Sequence, residues 1–588
     1  MSFNNLKNYG SEQTRMKKIG FSNFPFCPES NMLAMLVLTG FALLTSMLLL
    51  SNPGYFSHDE LQKLDVVNDL GLWKFIQAYV NFPDFNDFAI PVRPFSYLVQ
   101  GLVAASSTNQ PFVLHLADVL MHAGAGVLVF IGLFRVTENR NLAWVAALVF
   151  LVSPHTTFAV GWSAALMDRL YTLFGLISCM AAFSYVSKKG GAGTLWLLLA
   201  SAALSVSSKE TGIVFPALIL GYLFVSVSYL NNRKFWIAFG VWSLPSIAML
   251  AYRARPLLNS IGGMESDYTV DFMSIPSNLF VYVAYPFVPS LNESYAWQYL
   301  ASQSDMVWAF IAHLILTILL WRKFSLKVAL AYDAAYLLFL LPVATLSGTA
   351  PHYLYASGVP FSIAIAALLV LNGRKVSRIA RAYVLVLLTI AIVHTFKVQA
   401  YIYDNGECSI TTIASATSVY LSLNAPYEMT IVAEKYSSAQ IPMRIFHDRD
   451  RLGEYRPVKI KTLNWNHPDA DLHFIKFNKD CVVYKSGIEE FSVKHWEPQT
   501  TRSGVVVNEQ PDGSMGIWVK VAGDFDLGEV ELLFDNVPAK VTSQQPGLIT
   551  ASISVEQITE PGLRKVAIRS ISTGEVIEIG NFTVEPLD

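Results

Sequence analysis

Long apolar runs dominate the first 400 positions of the chain. The first, about 31–51, follows some thirty mostly polar residues. Others fall near 112–134, 141–158, 166–186, 193–208, 210–230, 235–252, 306–321, 328–346, 353–372 and 379–398. A helix needs about 20 apolar residues to cross a hydrocarbon core of roughly 30 Å, so these eleven runs read as membrane spans. Two further stretches, 92–106 and 275–291, are apolar but short and broken by Pro or Ser. As re-entrant, interfacial or additional spans they bring the expectation to about 11 to 13 helices. The polar leader is too long for a signal-peptide n-region, and Ser51-Asn52-Pro53-Gly54 is not a small-x-small cleavage pattern. The first run is therefore expected to remain as an uncleaved helix.

Beyond about residue 400 the pattern changes from period 3.6 to alternation. Runs at 428–432 and 481–484 alternate, and from about 503 short alternating runs recur between turn signals, at 504–507, 516–521, 529–534 and 565–568. Such spacing points to a β-rich soluble region that includes a small β-sandwich. No helical repeat of about 34 residues is visible. The expected organisation is a tail over 1–31, a transmembrane domain over 32–400, a mixed α/β or β-rich region over 401–500 and a β-sandwich-like domain over 501–588.

Composition supports this division. The chain is 53% hydrophobic and only 15% charged, against about 25% charged in soluble domains. A net charge of −2 gives no general affinity for nucleic acid. The four cysteines, Cys27, Cys179, Cys408 and Cys481, show no CxxC and no metal-ligand spacing. Cys408 and Cys481, if extracytoplasmic, are candidates for a disulfide.

Basic residues divide the loops into two sets. Lys7, Arg15, Lys17 and Lys18 precede the first span, and alternate loops then carry Arg135 with Arg140, Lys188 with Lys189, Arg233 with Lys234, Arg322 with Lys323 and Lys327, and Arg374 with Lys375, Arg378 and Arg381. The opposite loops are longer and poorer in Lys and Arg, so the first set is cytoplasmic by the positive-inside rule. Eleven spans then put the C-terminal region outside. The polar residues that stand out at span ends, His58-Asp59-Glu60, Arg93, His155, Asp168-Arg169, Lys209-Glu210 and His352, all fall on the outer side. Ionisable groups at a membrane edge are costly unless they pair or line a cavity, so their gathering implies a shared polar cavity.

Each motif also has a plainer reading. Asp59-Glu60 can position a general base, or can be acids in the first turn of a helix after Ser57. Arg93 suits a phosphate or an interfacial anchor. His115, Asp118 and His122 share one helical face, as a metal site or as an interhelical hydrogen-bond network. Asp168-Arg169 reads as a self-neutralising pair or as an arginine open to an anion. Lys209, with almost no loop around it, meets either its neighbour Glu210 or a phosphate. His352, Tyr353 and Tyr355 open a span where aromatic belts are ordinary.

Taken in order, these residues resemble the GT-C superfamily of membrane glycosyltransferases. The nearest likeness is to the transmembrane-and-tetratricopeptide O-mannosyltransferase family and its bacterial relatives. The series runs from Asp59-Glu60 through Arg93-Pro94-Phe95-Ser96, Pro111 with His115 and His122, 146–150 into Ser153-Pro154-His155, Gly161-Trp162, Asp168-Arg169-Leu170 and 208–212 to His352-Tyr353-Leu354-Tyr355. It covers about 300 residues. The chain departs from the family in lacking the helical repeats, in its Asp-Glu order, more typical of other protein O-mannosyltransferase branches, and in His352 where relatives tend to carry arginine.

The resemblance implies a GT-C-like fold and transfer of a sugar from a polyprenyl-phosphate-linked donor to an extracytoplasmic hydroxyl on a glycan, lipid or protein, with inversion. It implies Asp59 as general base or acceptor-positioning acid, assisted by Glu60, and Arg93, Arg169, Lys209 and His352 as donor-phosphate ligands. His58, His115, Asp118, His122, His155, Asp168, Glu210, Tyr353 and Tyr355 are cavity or supporting residues. No nucleotide-sugar cofactor is expected, and a divalent metal is optional. The location implied is the plasma (inner) membrane. The alternative is a transporter or flippase of a lipid-linked glycan, for which inverted repeats and interrupted helices are not evident in the sequence.

Overall fold

A computed structural model describes residues 27–56, 60, 64, 67, 71–77, 93–107, 110–187, 190–221, 231–260, 271–288, 303–346, 348–371, 378–422, 428–433, 459–464, 475–477, 483–484, 492–522, 530–545, 548–570 and 576–587. His58 and Asp59 lie outside these residues, as do Cys481 and the side chain of Cys408. Cys27 and Cys179 are free thiols.

The chain divides into two compact units. One takes in residues 1–414 with 440–452, and the other residues 415–439 with 453–588. In the first unit the described helices are α1 (Asn31–Thr45, continued by a turn at Met47–Leu50), α2 (Pro94–Ser107), α3 (Pro111–Thr137), α4 (Arg140–Leu151), α5 (Pro154–Gly161), α6 (Leu166–Val186), α7 (Ala192–Ser208), α8 (Arg233–Ser260), α9 (Ile275–Ala284), α10 (Gln303–Lys323), α11 (Leu326–Leu338), α12 (Gly358–Val370) and α13 (Arg378–Ser422). Each expected span contains helix. Among the described residues, five helices are long and apolar enough to cross a membrane, or six if the bent α4–α5 pair is one span, and four more apolar helices are shorter. α13 runs on to Ser422, beyond the limit of 400 read from the composition change.

Local chemistry sets these helix ends. Ser30 caps α1 by accepting from Leu33 N at 3.1 Å, Asn139 caps α4 from Leu142 N at 3.0 Å, and Ser153 stands before Pro154 at the first position of α5. Hydroxyls inside the helices bond back to carbonyls four residues earlier, as Thr39 does to Met35 and Thr137 to Leu133. Those bonds pair these hydroxyls within their own helices.

The α4–α5 junction bends by 50°, because Pro154 removes a donor from the ladder. Side chains take up the carbonyls this releases. Thr156 Oγ1 donates to Phe150 O at 3.1 Å, His122 Nε2 to Leu151 O at 3.3 Å, and Thr395 Oγ1 to Val152 O at 2.8 Å.

Basic residues of the loops expected on one side bond neighbouring backbone and side chains. Arg140 donates to Pro28 O and to Asn31 Oδ1, Lys234 to Gly190 O, and Lys323 to the last carbonyls of α12 at Ala367 and Leu368.

The second unit holds two sheets. β1 (Glu428–Ala433) pairs in parallel with β2 (Lys459–Asn464) and β3 (Ile475–Phe477), and β4 (Val483–Tyr484) pairs antiparallel to β3. The larger sheet comprises β5 (Ser492–Glu497), β6 (Thr500–Arg502), β7 (Met515–Ala522), β8 (Val530–Phe534), β9 (Val537–Gln545), β10 (Leu548–Ile553), β11 (Gly562–Ser570) and β12 (Val576–Glu585), in the order β5-β7-β10-β9-β8-β11-β12-β6. β9 pairs with β8 through its first residues and with β10 through its later ones. The two halves bury a single core that includes Ile517, Val519 and Ile549 from one and Phe534, Ile568 and Phe582 from the other, a sandwich arrangement. Asp535 and Asn536, with φ of 53° and 65°, make the two-residue turn between β8 and β9. The larger sheet begins at Ser492, nine positions before the 501 expected.

Candidate active site

The site is built at the end of the bundle where α1 finishes. The chain leaves α1 through Asn52, whose Oδ1 accepts from Gly54 N at 3.0 Å while its Nδ2 donates to Ile402 O in α13 at 3.3 Å. Tyr55 N donates to Ser409 Oγ at 3.0 Å. The two backbones approach so closely that a Cβ on Gly54 would lie 2.0 Å from Gly406 O, and one on Gly406 would lie 1.8 Å from Asn52 Oδ1. Only glycine fits at either position. The same Gly54 carbonyl accepts from His115 Nε2 at 2.9 Å.

This anchored segment delivers Glu60 into the protein interior. Its Oε2 accepts from Phe56 N at 2.6 Å, and its Oε1 accepts from Ser163 N. Ser163 opens the tight turn that leads into α6, so its N–H lies at the positive end of a helix. Asp118, one turn after His115 on α3, receives the Ser163 hydroxyl on Oδ2 and pairs with Arg169 Nη2 through Oδ1. Arg169 Nη1 also donates to Trp162 O at 3.4 Å. Glu60, Asp118, Ser163 and Gln100 border a cavity of about 10 Å³, room for roughly one water.

A second group lies between α6 and the residues after α7. Lys209 is in extended backbone (φ −158°, ψ 140°) between α7 and a 3₁₀ stretch, Glu210–Leu220. Its Nζ meets Asp168 Oδ1 at 2.5 Å and stands 4.3 Å from the centre of the Tyr353 ring. The Tyr353 ring neighbours His352 at 4.1 Å, and His352 neighbours Trp162 at 4.7 Å. Glu210 receives Arg93 Nε at 2.9 Å, with Arg253 at 3.8 Å from its other oxygen. Ser96 Oγ donates to Ser208 O at 2.7 Å, tying α2 to the end of α7.

The residues singled out in the sequence therefore sort into two environments. Glu60, Arg93, His115, Asp118, Asp168, Arg169, Lys209, Glu210, His352 and Tyr353 form one connected constellation. His122, His155 and Tyr355 belong instead to the packed interior. His122 Nδ1 accepts from Tyr355 O–H at 2.9 Å, and His155 bonds Ser153 at 2.8 Å and Tyr336 at 3.0 Å.

The pairings differ from the adjacent ones read in the sequence. Asp168 pairs with Lys209 and not with Arg169, because neighbours in a helix point about 100° apart, and Lys209, in extended backbone, turns to Asp168 while Glu210 turns to Arg93. The sequence reading missed the bridging role of Ser163 and the contributions of Asn52, Ser409, Gln100 and Arg253. Only the polar Trp162-Ser163 step between two apolar helices signals the first of these.

Among the described residues, the buried atoms with no hydrogen-bond partner include five of this constellation, His115 Nδ1, Asp168 Oδ2, Arg169 Nε, Glu210 Oε1 and His352 Nδ1, and others outside it such as Trp242 Nε1 and His394 Nε2. Buried polar atoms in native proteins are nearly always paired with protein, water or ligand. Also among the described residues, no three His, Cys, Asp or Glu stand close enough to hold a metal ion.

No family model matches the chain, and no curated protein matches it. Among solved structures it is similar to ArnT from Cupriavidus metallidurans bound to undecaprenyl phosphate, with 12% identity over 72% of this chain and 89% of that chain and a TM-score of 0.43. It is also similar to the Archaeoglobus fulgidus oligosaccharyltransferase in the apo form, at 11% identity over 72% and 65% with a TM-score of 0.39. The archaeal oligosaccharyltransferase AglB from the same organism, in complex with an inhibitory peptide and a dolichol-phosphate, gives 12%, 71%, 63% and 0.38. What those proteins bind is a statement about them. The chemistry of this chain rests on its own residues.

Proposed function

We propose that the chain is an integral-membrane glycosyltransferase that moves a sugar from a polyprenyl-phosphate-linked donor to an acceptor hydroxyl at the extracytoplasmic face. The observation that carries this reading is the buried constellation itself. Acids and cations from seven separate stretches of sequence meet at one end of an apolar bundle, and five of their buried polar atoms have no hydrogen-bond partner among the described residues. Charges placed so are costly in a membrane protein and mark a functional cavity.

In the proposed reaction the acceptor oxygen attacks the anomeric carbon, the bond from that carbon to the phosphate oxygen breaks, and the polyprenyl phosphate departs. Asp59 takes the acceptor's proton. Glu60 acts as a positioning residue, since both its oxygens accept backbone N–H groups, from Phe56 and Ser163, and so hold the neighbour of Asp59 in place. Charge grows on the departing phosphate, where cations in a water-poor site stabilise it most. Arg93 is the first candidate for that role, with its side chain still 12% exposed against 2% or less for Lys209 and Arg169. Lys209 and His352 complete the phosphate side, and Arg169 holds Asp118 and the Trp162-Ser163 turn.

The test is transfer in cells lacking the native gene, with expression equalised. Asp59→Asn is expected to lower transfer by about 10²–10⁴-fold, the range of general base catalysis, with the variant still folded in the membrane. Undiminished transfer by Asp59→Asn would remove the enzymatic assignment. Translocation of the lipid-linked sugar without any new glycosidic bond would favour the flippase alternative.

A further inference from the structure

The outer face of the C-terminal sandwich carries a groove that the transfer reaction does not use. Along β7 the residues alternate. Ile517 and Val519 point into the core, so Gly516, Trp518 and Lys520 share the opposite face. On that face Trp518 lies beside Thr550 of β10 and Glu497 of β5. Its indole is half-buried, and the His495 ring is 5.4 Å away at 60°. The extra residue where β9 shifts register against β10 brings exposed Thr542 to this side, with its hydroxyl 3.0 Å from that of Thr550.

Two amides close the groove. Asn508 takes the left-handed conformation (φ 55°), which asparagine tolerates better than most residues. That folds the 506–514 loop back onto β7. Asn508 Nδ2 donates to Gly516 O at 3.1 Å, and Gln510 Nε2 donates to Asn508 O at 3.1 Å. A Cβ on Gly516 would lie 2.3 Å from Gln510 Nε2 and 3.0 Å from Asn508 Nδ2, so glycine is what admits these amides beside the indole. The groove encloses about 480 Å³, within the range of small-molecule sites.

We infer that this groove is a saccharide-binding site, for an uncharged segment of a glycan chain. A sugar ring offers an apolar C–H face and a rim of hydroxyls. The half-buried indole suits the first, and Asn508, Gln510, Thr542 and Thr550, which both donate and accept, suit the second. His495 Nε2 and Glu497 Oε1 are 3.1 Å apart at the edge and satisfy each other, so the groove offers an anionic or cationic ligand no lone counter-charge from that pair. A protein partner would need about 800 Å² of surface on each side, far more than one indole and four small polar side chains supply. Binding here does not depend on Asp59 or Lys209, so it stands or falls apart from the transferase reading.

The experiment uses the full chain in lipid nanodiscs. The probe is polysaccharide released by mild acid from the surface of cells that natively express it, with protein-free lipid vesicles as a second probe. Saturable binding of the polysaccharide is expected. It should weaken at least ten-fold in Trp518→Ala, stay within about three-fold in Trp518→Phe, and weaken at least ten-fold in Thr542→Lys, which fills the groove from an exposed position without touching the core. Asp59→Asn should bind as the unaltered chain does. The proposal is overturned by absence of binding in the unaltered chain, by equal binding in Trp518→Ala and Thr542→Lys, by loss of binding in Asp59→Asn alone, or by retention on vesicles in place of polysaccharide.

Discussion

Two carboxylates reach the same serine. Glu60 takes the backbone N–H of Ser163 and Asp118 takes its hydroxyl, while Asp118 spends its other oxygen on Arg169. The pair is wholly buried, and removing one member of such a pair typically costs about 3–5 kcal/mol, whereas replacing both by apolar groups is often nearly neutral. Asp118→Ala should therefore lower the unfolding temperature in detergent far more than Asp118→Ala combined with Arg169→Met. If the single and double variants unfold alike, the pair is not what holds this turn. The sequence marked both residues but not their partnership, because i, i+1 neighbours such as Asp168 and Arg169 look paired in print while a helix turns them apart. Which of fifty-one positions of separation closes into contact depends on how α3 packs on α6, and no local pattern encodes that.

At the scale of elements, the helices within the apolar runs were legible because apolar length and helix caps are local properties. Every expected run contains helix, and Pro154 marks the bend between α4 and α5. The contact between the segment after α1 and α13 was not legible, since Gly54 and Gly406 are more than 350 residues apart and a lone glycine in an apolar helix carries no periodic signal. That contact anchors the segment that leads to Glu60. Gly406→Ala would push a Cβ into Asn52, an overpacking that typically costs about 1–3 kcal/mol. Because a displacement near 1 Å at a reacting group costs about 10²-fold in rate, transfer should fall much further than stability does. A Gly406→Ala chain with full transfer would show that the segment adjusts freely. At the bend, Thr395→Val removes the donor to Val152 O, and a loss of about 1–3 kcal/mol is expected for the buried carbonyl left unpaired, read as a lowered unfolding midpoint.

For the whole molecule, the proposed reaction requires one division of the loops between the two sides of the membrane. Arg140 reaches Pro28 and Asn31, and Lys234 reaches Gly190, so these loops rich in Lys and Arg meet in pairs. Glu60, Arg93, Ser163, Lys209 and His352 form one group, joined by the contacts around Trp162 and Tyr353. The positive-inside rule expects loops with excess Lys and Arg on the cytoplasmic side, and the proposed departure of a lipid phosphate from the opposite leaflet requires the constellation to open there. Single cysteines introduced at positions 59 and 209 in a chain stripped of its four native cysteines should react with a membrane-impermeant maleimide added to intact spheroplasts. Cysteines at 138 and 232 should react only after the membrane is opened. Labelling of 59 and 209 from opposite sides would separate Asp59 from the cations meant to receive the phosphate, and no rearrangement of side chains could restore a single cavity.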